Sequence, residues 1–290
     1  MSIQCQILTE EDKRKVHAES IRILQEVGVK FLSHKALNSL KDTGARVDIG
    51  TRIARIPEEM VQQALKTAPE SFVLGSRVKE KDFQLPSSYS GYVLDNGGIF
   101  TRDFNTGERR RCKYQDHIDF LRVFDEMKLA SVIWPASVSE FPNQSANLRE
   151  DISSFIHSTC HIQDELTHSA EVPYMVEAMV AILGSEEAVK QRHLYSVVYC
   201  TLAPLVHEGE MCDAYLELIQ VDAPICLFPM PCAGSTGPAS LFSNISMGNA
   251  EALSGLTLFQ MARPGTPIIY GDASGNTNFS TGGFLEGSPE

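Results

Sequence analysis

The sequence predicts an α/β fold in which strands and helices alternate from about residue 115 onward. Five short apolar runs that suit β-strands are separated by stretches whose apolar residues recur at helical spacing. Two of the runs, YSVVYCTL and PICLFPM, are almost entirely apolar, which is typical of strands buried on both faces of a parallel sheet. The short connections favour either a barrel or a doubly wound sheet. No G-x-G-x-x-G motif follows the first strand, so a Rossmann nucleotide site is not supported.

The predicted elements of this region follow one another closely. Strands are expected at residues 131–137, 167–172, 194–202, 223–230 and 266–270. Helices are expected at residues 114–127, 145–160, 174–184, 210–221 and 239–262. Five such strands would leave open edges and an exposed core if they had to form a barrel alone. The sequence therefore predicts either an open sheet or a fragment of a larger barrel.

The N-terminal part predicts a small module of helices and hairpins. Thr9 begins a T-E-E-D capping box, and Gly28 can end the helix that follows. A second helix is expected from Ser33 to Gly44. A hairpin over residues 47–56 then leads to a helix that begins near Pro57.

A second hairpin is predicted between residues 92–94 and 99–104, around the turn Asp95-Asn96-Gly97-Gly98. It leads into the basic run Arg109-Arg110-Arg111, for which we expect a solvated hairpin more than a docking site for a partner protein.

Charge and cysteine usage narrow the classes of function. The net charge is −12, and residues 151–290 hold three basic against sixteen acidic side chains. This field disfavours nucleic acids and anionic substrates, is compatible with a cationic substrate, and also suits a solubilising surface. No apolar run approaches the length of a membrane span, and no secretory signal is visible. The seven cysteines form no C-x-x-C pair, which suits reduced thiols in the cytoplasm.

The stretch from Pro229 onward carries a resemblance to a known family. It reads PMPCAGSTGPASLFSNISMGNAEALSGLTLFQMARPGTPIIYG. A small-residue loop opens a long helix carrying Asn249-Ala250-Glu251, followed by Pro264-Gly265 and a strand that ends in Tyr270-Gly271. In these features the chain resembles the trimethylamine:corrinoid methyltransferase family. The ending Gly287-Ser288-Pro289-Glu290 and the N-terminal module also look like family elements.

The resemblance implies a (β/α)₈ TIM barrel that is incomplete at the C-terminus and preceded by a small α+β module. We expect the module at residues 1–85 and about five of eight β-α units at residues 86–290. The implied activity transfers a methyl group from trimethylamine or a related quaternary amine, such as a betaine, to the Co(I) of a corrinoid held by a separate protein. No metal is expected to bind the chain directly, and a homo-oligomer is compatible with this picture. Some family members carry pyrrolysine beyond the point that corresponds to residue 290.

Reactive residues of a barrel lie at the C-terminal ends of its strands. We therefore expect several strand-end residues near the mouth: Ser137, Thr201, Pro229, Met230, Pro231, Tyr270 and Asp272. Asp272 is the first candidate for a catalytic carboxylate, with a loop cap as the alternative. Glu251 is the second candidate because a carboxylate in an apolar helix should face a partner or a polar cavity. Asn249 shares that ambiguity between a site role and a helix contact.

Aromatic side chains near strand ends are candidate binding surfaces for a methylated cation. Tyr270 and Trp134 are expected to offer ring faces, with core packing as the more frequent role of such residues. Met230 and Thr201 complete the predicted substrate-binding set.

A histidine pair and two cysteines are further candidates, and each also has a simpler structural explanation. His157 and His161 are four residues apart, a spacing at which two histidines on one helix face can bind zinc or simply cover that face. Cys200 and Cys232 lie near strand ends, and buried thiols are the simpler expectation.

Two rival functions stay open. One is another TIM-barrel lyase or aldolase, although no lysine for a Schiff base follows Lys190. The other is a catalytically incomplete fragment or binding module of the same family.

Overall fold

The computed structural model describes residues 7–94, 98–142 and 145–285. Its α-helices are α1 (Glu10–Arg22), α2 (His34–Asp42), α3 (Glu58–Thr67), α4 (Tyr114–Asp125), α5 (Ala146–His157), α6 (Val172–Leu183), α7 (Glu186–Arg192), α8 (Gly209–Leu218) and α9 (Leu241–Ala262). Its β-strands are β1 (Val29–Phe31), β2 (Arg46–Asp48), β3 (Ile53–Arg55), β4 (Phe72–Leu74), β5 (Phe83–Leu85), β6 (Tyr92–Leu94), β7 (Phe100–Arg102), β8 (Arg109–Arg111), β9 (Ala130–Ile133), β10 (His161–Asp164), β11 (Tyr195–Tyr199), β12 (Val206–His207), β13 (Ile225–Leu227), β14 (Cys232–Ala233), β15 (Ile268–Tyr270), β16 (Gly275–Asn278) and β17 (Gly283–Leu285).

The central element is a curled parallel sheet. Within the described residues six strands build it, in the order β6-β9-β10-β11-β13-β15. Neighbouring strands of the sheet are neighbours along the chain, and helices α4, α5, α6, α8 and α9 lie in the connections between them. This succession of β-α units forms a half-barrel, one of the two arrangements that the predicted alternation of strands and helices allowed.

One strand prediction was wrong. The strand expected at residues 167–172 is absent there, where a 3₁₀ turn at Ser169–Glu171 precedes α6. The strand is instead β10, which pairs with β9 and β11. Its sequence HIQD is polar, although all four residues are buried. A prediction based on apolar runs therefore missed it, and extended α5 too far toward Cys160.

The second predicted hairpin was also wrong. Residues 92–94 form β6, which joins the edge of the parallel sheet beside β9, while β7 pairs with β8. The predicted turn residues Asp95, Asn96 and Gly97 lie outside the described residues, as do Cys5 and the ending from Gly287 to Glu290. The chain thus adds a sixth strand to the five that were predicted.

The N-terminal elements follow the sequence prediction more closely. The capping box at Thr9 is confirmed by its reciprocal hydrogen bonds with Asp12. Gly28, at φ 84°, ends the π-helical turn that follows α1. Ser33 caps α2, and β2 and β3 form the predicted hairpin.

Helix α9 joins these N-terminal elements to the sheet. It contacts α1, α2 and α3 on one side and β13 on the other. Polar residues are buried along it together with apolar ones: Asn244, Ser246, Glu251, Ser254, Thr257 and Gln260. Strand β12, which follows β11, also pairs with β1. Buried polar groups on α9 need hydrogen-bond partners, and these lead to the site.

No helix among the described parts of the chain combines the length and apolar character that crossing a bilayer requires.

Candidate active site

Two environments meet at the C-terminal ends of the parallel strands. Successive side chains of a strand point to opposite faces of the sheet. Tyr199 of β11 packs edge-on against Phe259 of α9, with ring centroids 5.1 Å apart. The next residue, Cys200, lines a cavity on the concave side. Alternation therefore decides whether a strand-end residue faces the cavity or α9.

The mouth cavity is the concave space of about 300 Å³ at these strand ends. Residues that follow β9, β10, β11 and β13 contribute most of its lining. The lining residues are Trp134, Ser137, Asn147, Asp164, Glu165, Val198, Cys200, Phe228 and Met230. Below it, a more apolar chamber of about 420 Å³ shares Trp134 and Phe228.

Trp134 is held in place by a chain of hydrogen bonds. Its Nε1 donates to Gln163 Oε1 at 2.7 Å, and Gln163 Nε2 donates to Ser196 Oγ at 2.8 Å. Phe228 meets the indole edge-on at a centroid distance of 5.7 Å. The two rings thus form a fixed aromatic corner at the boundary of both cavities.

Glu165 brings a carboxylate to the same cavity. The Asn147 amide donates to the Glu165 carbonyl oxygen at 2.9 Å and fixes the backbone there. Burial, followed by the nearby Glu165 carboxylate, raises the pKa of the Cys200 thiol far above its usual range. Cys200 is therefore a neutral thiol and not an activated nucleophile.

The helix-side cluster consists of Thr201, Asn249, Glu251, Tyr270 and Asp272, whose side chains contact α9 or belong to it. Glu251 is fully buried; it accepts hydrogen bonds from the Thr201 hydroxyl and from the Leu205 backbone N–H, the latter at 2.7 Å. Burial raises the pKa of the Glu251 carboxyl, with a smaller contribution from the charge of Asp272.

Tyr270 and Asp272 continue this cluster along the open edge of the sheet. The Tyr270 hydroxyl donates to Asn249 Oδ1 at 2.8 Å, and Asn249 Nδ2 donates to Ser20 Oγ at 2.8 Å. Asp272 is exposed as a residue, but its carboxyl lies against Gly248 of α9, where a Cβ would come within 2.1 Å of Oδ2. This local burial raises the pKa of the Asp272 carboxyl.

The structure therefore separates the residues that the sequence singled out. Trp134, Met230 and Ser137 line the mouth cavity, whereas Thr201, Asn249, Glu251, Tyr270 and Asp272 form the helix-side cluster. The sequence prediction did not include Glu165, Gln163 and Phe228. Strand β10 was predicted at the wrong residues, and the alternation of side chains along the strands was not used to assign them to a face. An alternating reading of HIQDE would have put Gln163 and Glu165 on one face.

His157 and His161 do not share a helix face, so that prediction was wrong. His157 ends α5, while His161 begins β10 and hydrogen-bonds to the Gly75 carbonyl and Ser196 Oγ. In the part of the chain that is described, no group of three or more His, Cys, Asp or Glu residues is arranged to hold a metal ion.

Comparisons with known proteins agree on one family. The family model described as trimethylamine methyltransferase (MTTB) matches residues 2–290. The chain is 28% identical to a glycine betaine methyltransferase of Desulfitobacterium hafniense (strain Y51), over 98% of this chain and 59% of that protein. It is 26% identical to the trimethylamine methyltransferase MttB of Methanosarcina thermophila, over 99% of this chain and 61% of that protein. The chain thus spans about three-fifths of the length of these relatives.

Proposed function

Because the chain belongs to the trimethylamine methyltransferase family, we propose that it acts in transferring a methyl group from a methylated amine to the Co(I) of a corrinoid protein. The methylated amine is trimethylamine or a quaternary amine such as a betaine. The six-stranded half-barrel is then part of a (β/α)₈ barrel, and the partner docks over the C-terminal ends of its strands.

The observation that carries this proposal is the composition of the mouth cavity. A quaternary ammonium ion has no N–H donor and protonated trimethylamine has only one, so such cations are recognised mainly by aromatic faces and by negative charge. Trp134, Phe228 and Glu165 supply these features around one cavity. Met230 adds a polarisable apolar wall suited to methyl groups.

The chemistry asks the protein mainly for positioning. The C–N bond of the substrate breaks, its electron pair stays on nitrogen, and the amine leaves with one methyl group fewer. The corrinoid of the partner protein supplies the nucleophile that accepts the methyl group. The residues of this chain hold the N–CH₃ bond toward the open end of the cavity and exclude water from it.

The helix-side cluster is proposed to supply a proton to the reacting amine and to hold the strand ends in place. Asp272 and Glu251 remain the proposed catalytic carboxyls, and burial raises the pKa of each. Trimethylamine releases neutral dimethylamine only when its nitrogen carries a proton as the C–N bond breaks, whereas a quaternary amine needs no such proton. Tyr270, Asn249 and Thr201 would hold these carboxyl-bearing elements in place.

Methyl transfer can be measured directly with the full chain. The chain is mixed with a reduced corrinoid protein and either trimethylamine or trimethylammonioacetate, and cobalt methylation is followed by absorbance. We expect methylation with at least one of the two amines, and a slower rate for Glu165→Gln. The matched control Glu177→Gln, on the exposed face of α6, should match the unmodified chain. Absence of both methylation and amine binding would overturn the proposal.

A further inference from the structure

A second cavity adjoins the mouth cavity. It measures about 320 Å³ and shares the lining residues Ser137 and Asn147 with the mouth cavity, so the two cavities are direct neighbours. Its far wall holds Arg111, from strand β8, and Glu150, from α5. The mouth cavity therefore extends from an aromatic corner with a carboxylate toward a guanidinium group.

Arg111 differs from the two arginines that precede it. The Arg110 guanidinium binds both carboxylate oxygens of Asp116, at 2.5 and 2.8 Å. The Arg109 guanidinium lies 3.6 Å from the centroid of the Phe100 ring, whereas the Arg111 guanidinium is 6.0 Å from the same centroid. Among the ion pairs of the described residues, none includes Arg111. Its positive charge is thus available to a ligand in the adjoining cavity.

Glu150 does not neutralise this charge. Its Oε1 accepts a hydrogen bond from the Val138 backbone N–H at 2.6 Å, which ties the carboxyl to the cavity wall. Burial also raises the pKa of Glu150 to about 7, so a large share of this carboxyl is protonated near neutral pH. The lining of the adjoining cavity therefore includes both a guanidinium and a carboxyl that is partly neutral.

We propose that Arg111 is a specificity-determining residue that binds a carboxylate of the methylated amine. The inference rests on the proposed function and narrows its substrate class to a zwitterion. The quaternary ammonium lies against Trp134, Phe228 and Glu165, and a flexible linker passes Ser137 and Asn147 to reach Arg111. Guanidinium groups suit this task because their paired N–H donors match the two oxygens of a carboxylate.

Trp134 provides the probe for a test because it is the only tryptophan in the sequence and lines the mouth cavity. Its fluorescence is titrated with trimethylammoniobutanoate and with the methyl ester of that compound, which keeps the cation and loses the anion. We expect the unmodified chain to bind the carboxylate form about tenfold more tightly, as one charge-assisted contact would give. Arg111→Gln should remove this preference and leave the affinity for the ester unchanged, and Arg111→Lys should restore part of it.

Arg109→Gln is the matched control, since it removes an equal charge from the same strand outside both cavities. It should keep the preference for the carboxylate form. Equal binding of the two ligands by the unmodified chain, or equal loss of both in Arg111→Gln, would overturn the role of Arg111 and leave methylated-amine binding intact. If neither ligand binds, the inference of a zwitterionic substrate fails as well, and the methylation assay with trimethylamine tests the proposed function separately.

Discussion

The two sides of the parallel sheet use carboxyl groups in different ways. On the side of α9, Glu251 is fully buried, and the Thr201 hydroxyl and the Leu205 N–H donate to its two oxygens. On the concave side, Glu165 lines an open cavity together with Trp134. A carboxyl enclosed by protein donors contributes to folding, whereas one that lines a cavity beside aromatic rings is available to a cationic ligand. Residue type alone does not distinguish these two glutamates.

The largest stability effect is expected on the side of α9. Glu251→Leu leaves the Thr201 hydroxyl and the Leu205 N–H without their acceptor in a buried site. We expect a loss of roughly 3 kcal/mol in the free energy of unfolding, measured by urea denaturation. Glu217→Gln, which breaks an exposed ion pair with Lys35, should cost less than about 1 kcal/mol. A loss for Glu251→Leu as small as that for Glu217→Gln would contradict the folding role of the enclosed Glu251 carboxyl.

The contribution of the buried Glu150 carboxyl to the free energy of unfolding is expected to depend on pH. Burial raises the pKa of Glu150 from 4.5 to about 7. Between these pH values the folded chain keeps a proton on Glu150 that the unfolded chain has already released. The stability contribution of Glu150 is therefore present at low pH and falls as the pH rises from 4.5 to about 7. Relative to Glu150→Gln, the unmodified chain should lose roughly 2–3 kcal/mol over this interval.

Measuring the difference in stability between the unmodified chain and Glu150→Gln cancels every pH effect that the two proteins share. Burial lowers the pKa of the neighbouring His117 to about 4, which makes stability rise with pH, but this effect is common to both proteins. Parallel stability curves for the two proteins from pH 4 to 8 would contradict the burial of an ionisable Glu150.

Glu165→Gln should affect ligand binding and leave folding almost unchanged. Removing the negative charge of Glu165 is expected to weaken the apparent affinity for a methylated ammonium ion about tenfold. In methyl-transfer kinetics this appears mainly as a higher KM. The melting temperature of Glu165→Gln should match that of Glu177→Gln. A clear fall in the melting temperature would show that Glu165 contributes to folding, as Glu251 does.

Tyr270→Phe should have the smallest effect. It removes the hydrogen bond to Asn249 Oδ1 at the open sheet edge, where Tyr270 is 44% exposed. Because water can replace a bond at such a site, we expect a loss below about 1 kcal/mol. Thermal unfolding measures it, and a loss above 2 kcal/mol would indicate that Tyr270 supports α9 more strongly than its exposure suggests.

Sequence reasoning recovered the elements whose signals are local. The capping box at Thr9, the glycine end at Gly28 and the apolar strands β11 and β13 were all predicted. Strand β10 was missed because its inward residues His161 and Gln163 are polar and satisfied by Ser196, a partner on another strand. Such cross-strand hydrogen bonds leave no periodic apolar pattern. For the same reason Glu165 could not be assigned to the cavity before β10 was located.

Binding of a methylated cation in the mouth cavity can be followed through the fluorescence of Trp134, which lines that cavity. The full chain is titrated with tetramethylammonium, and calorimetry measures total binding in parallel. We expect a saturable change in emission whose midpoint equals the calorimetric dissociation constant, and a much weaker response to uncharged tert-butanol of similar shape. Calorimetric binding that leaves Trp134 emission unchanged, or an equal response to tert-butanol, would contradict the assignment of this cavity.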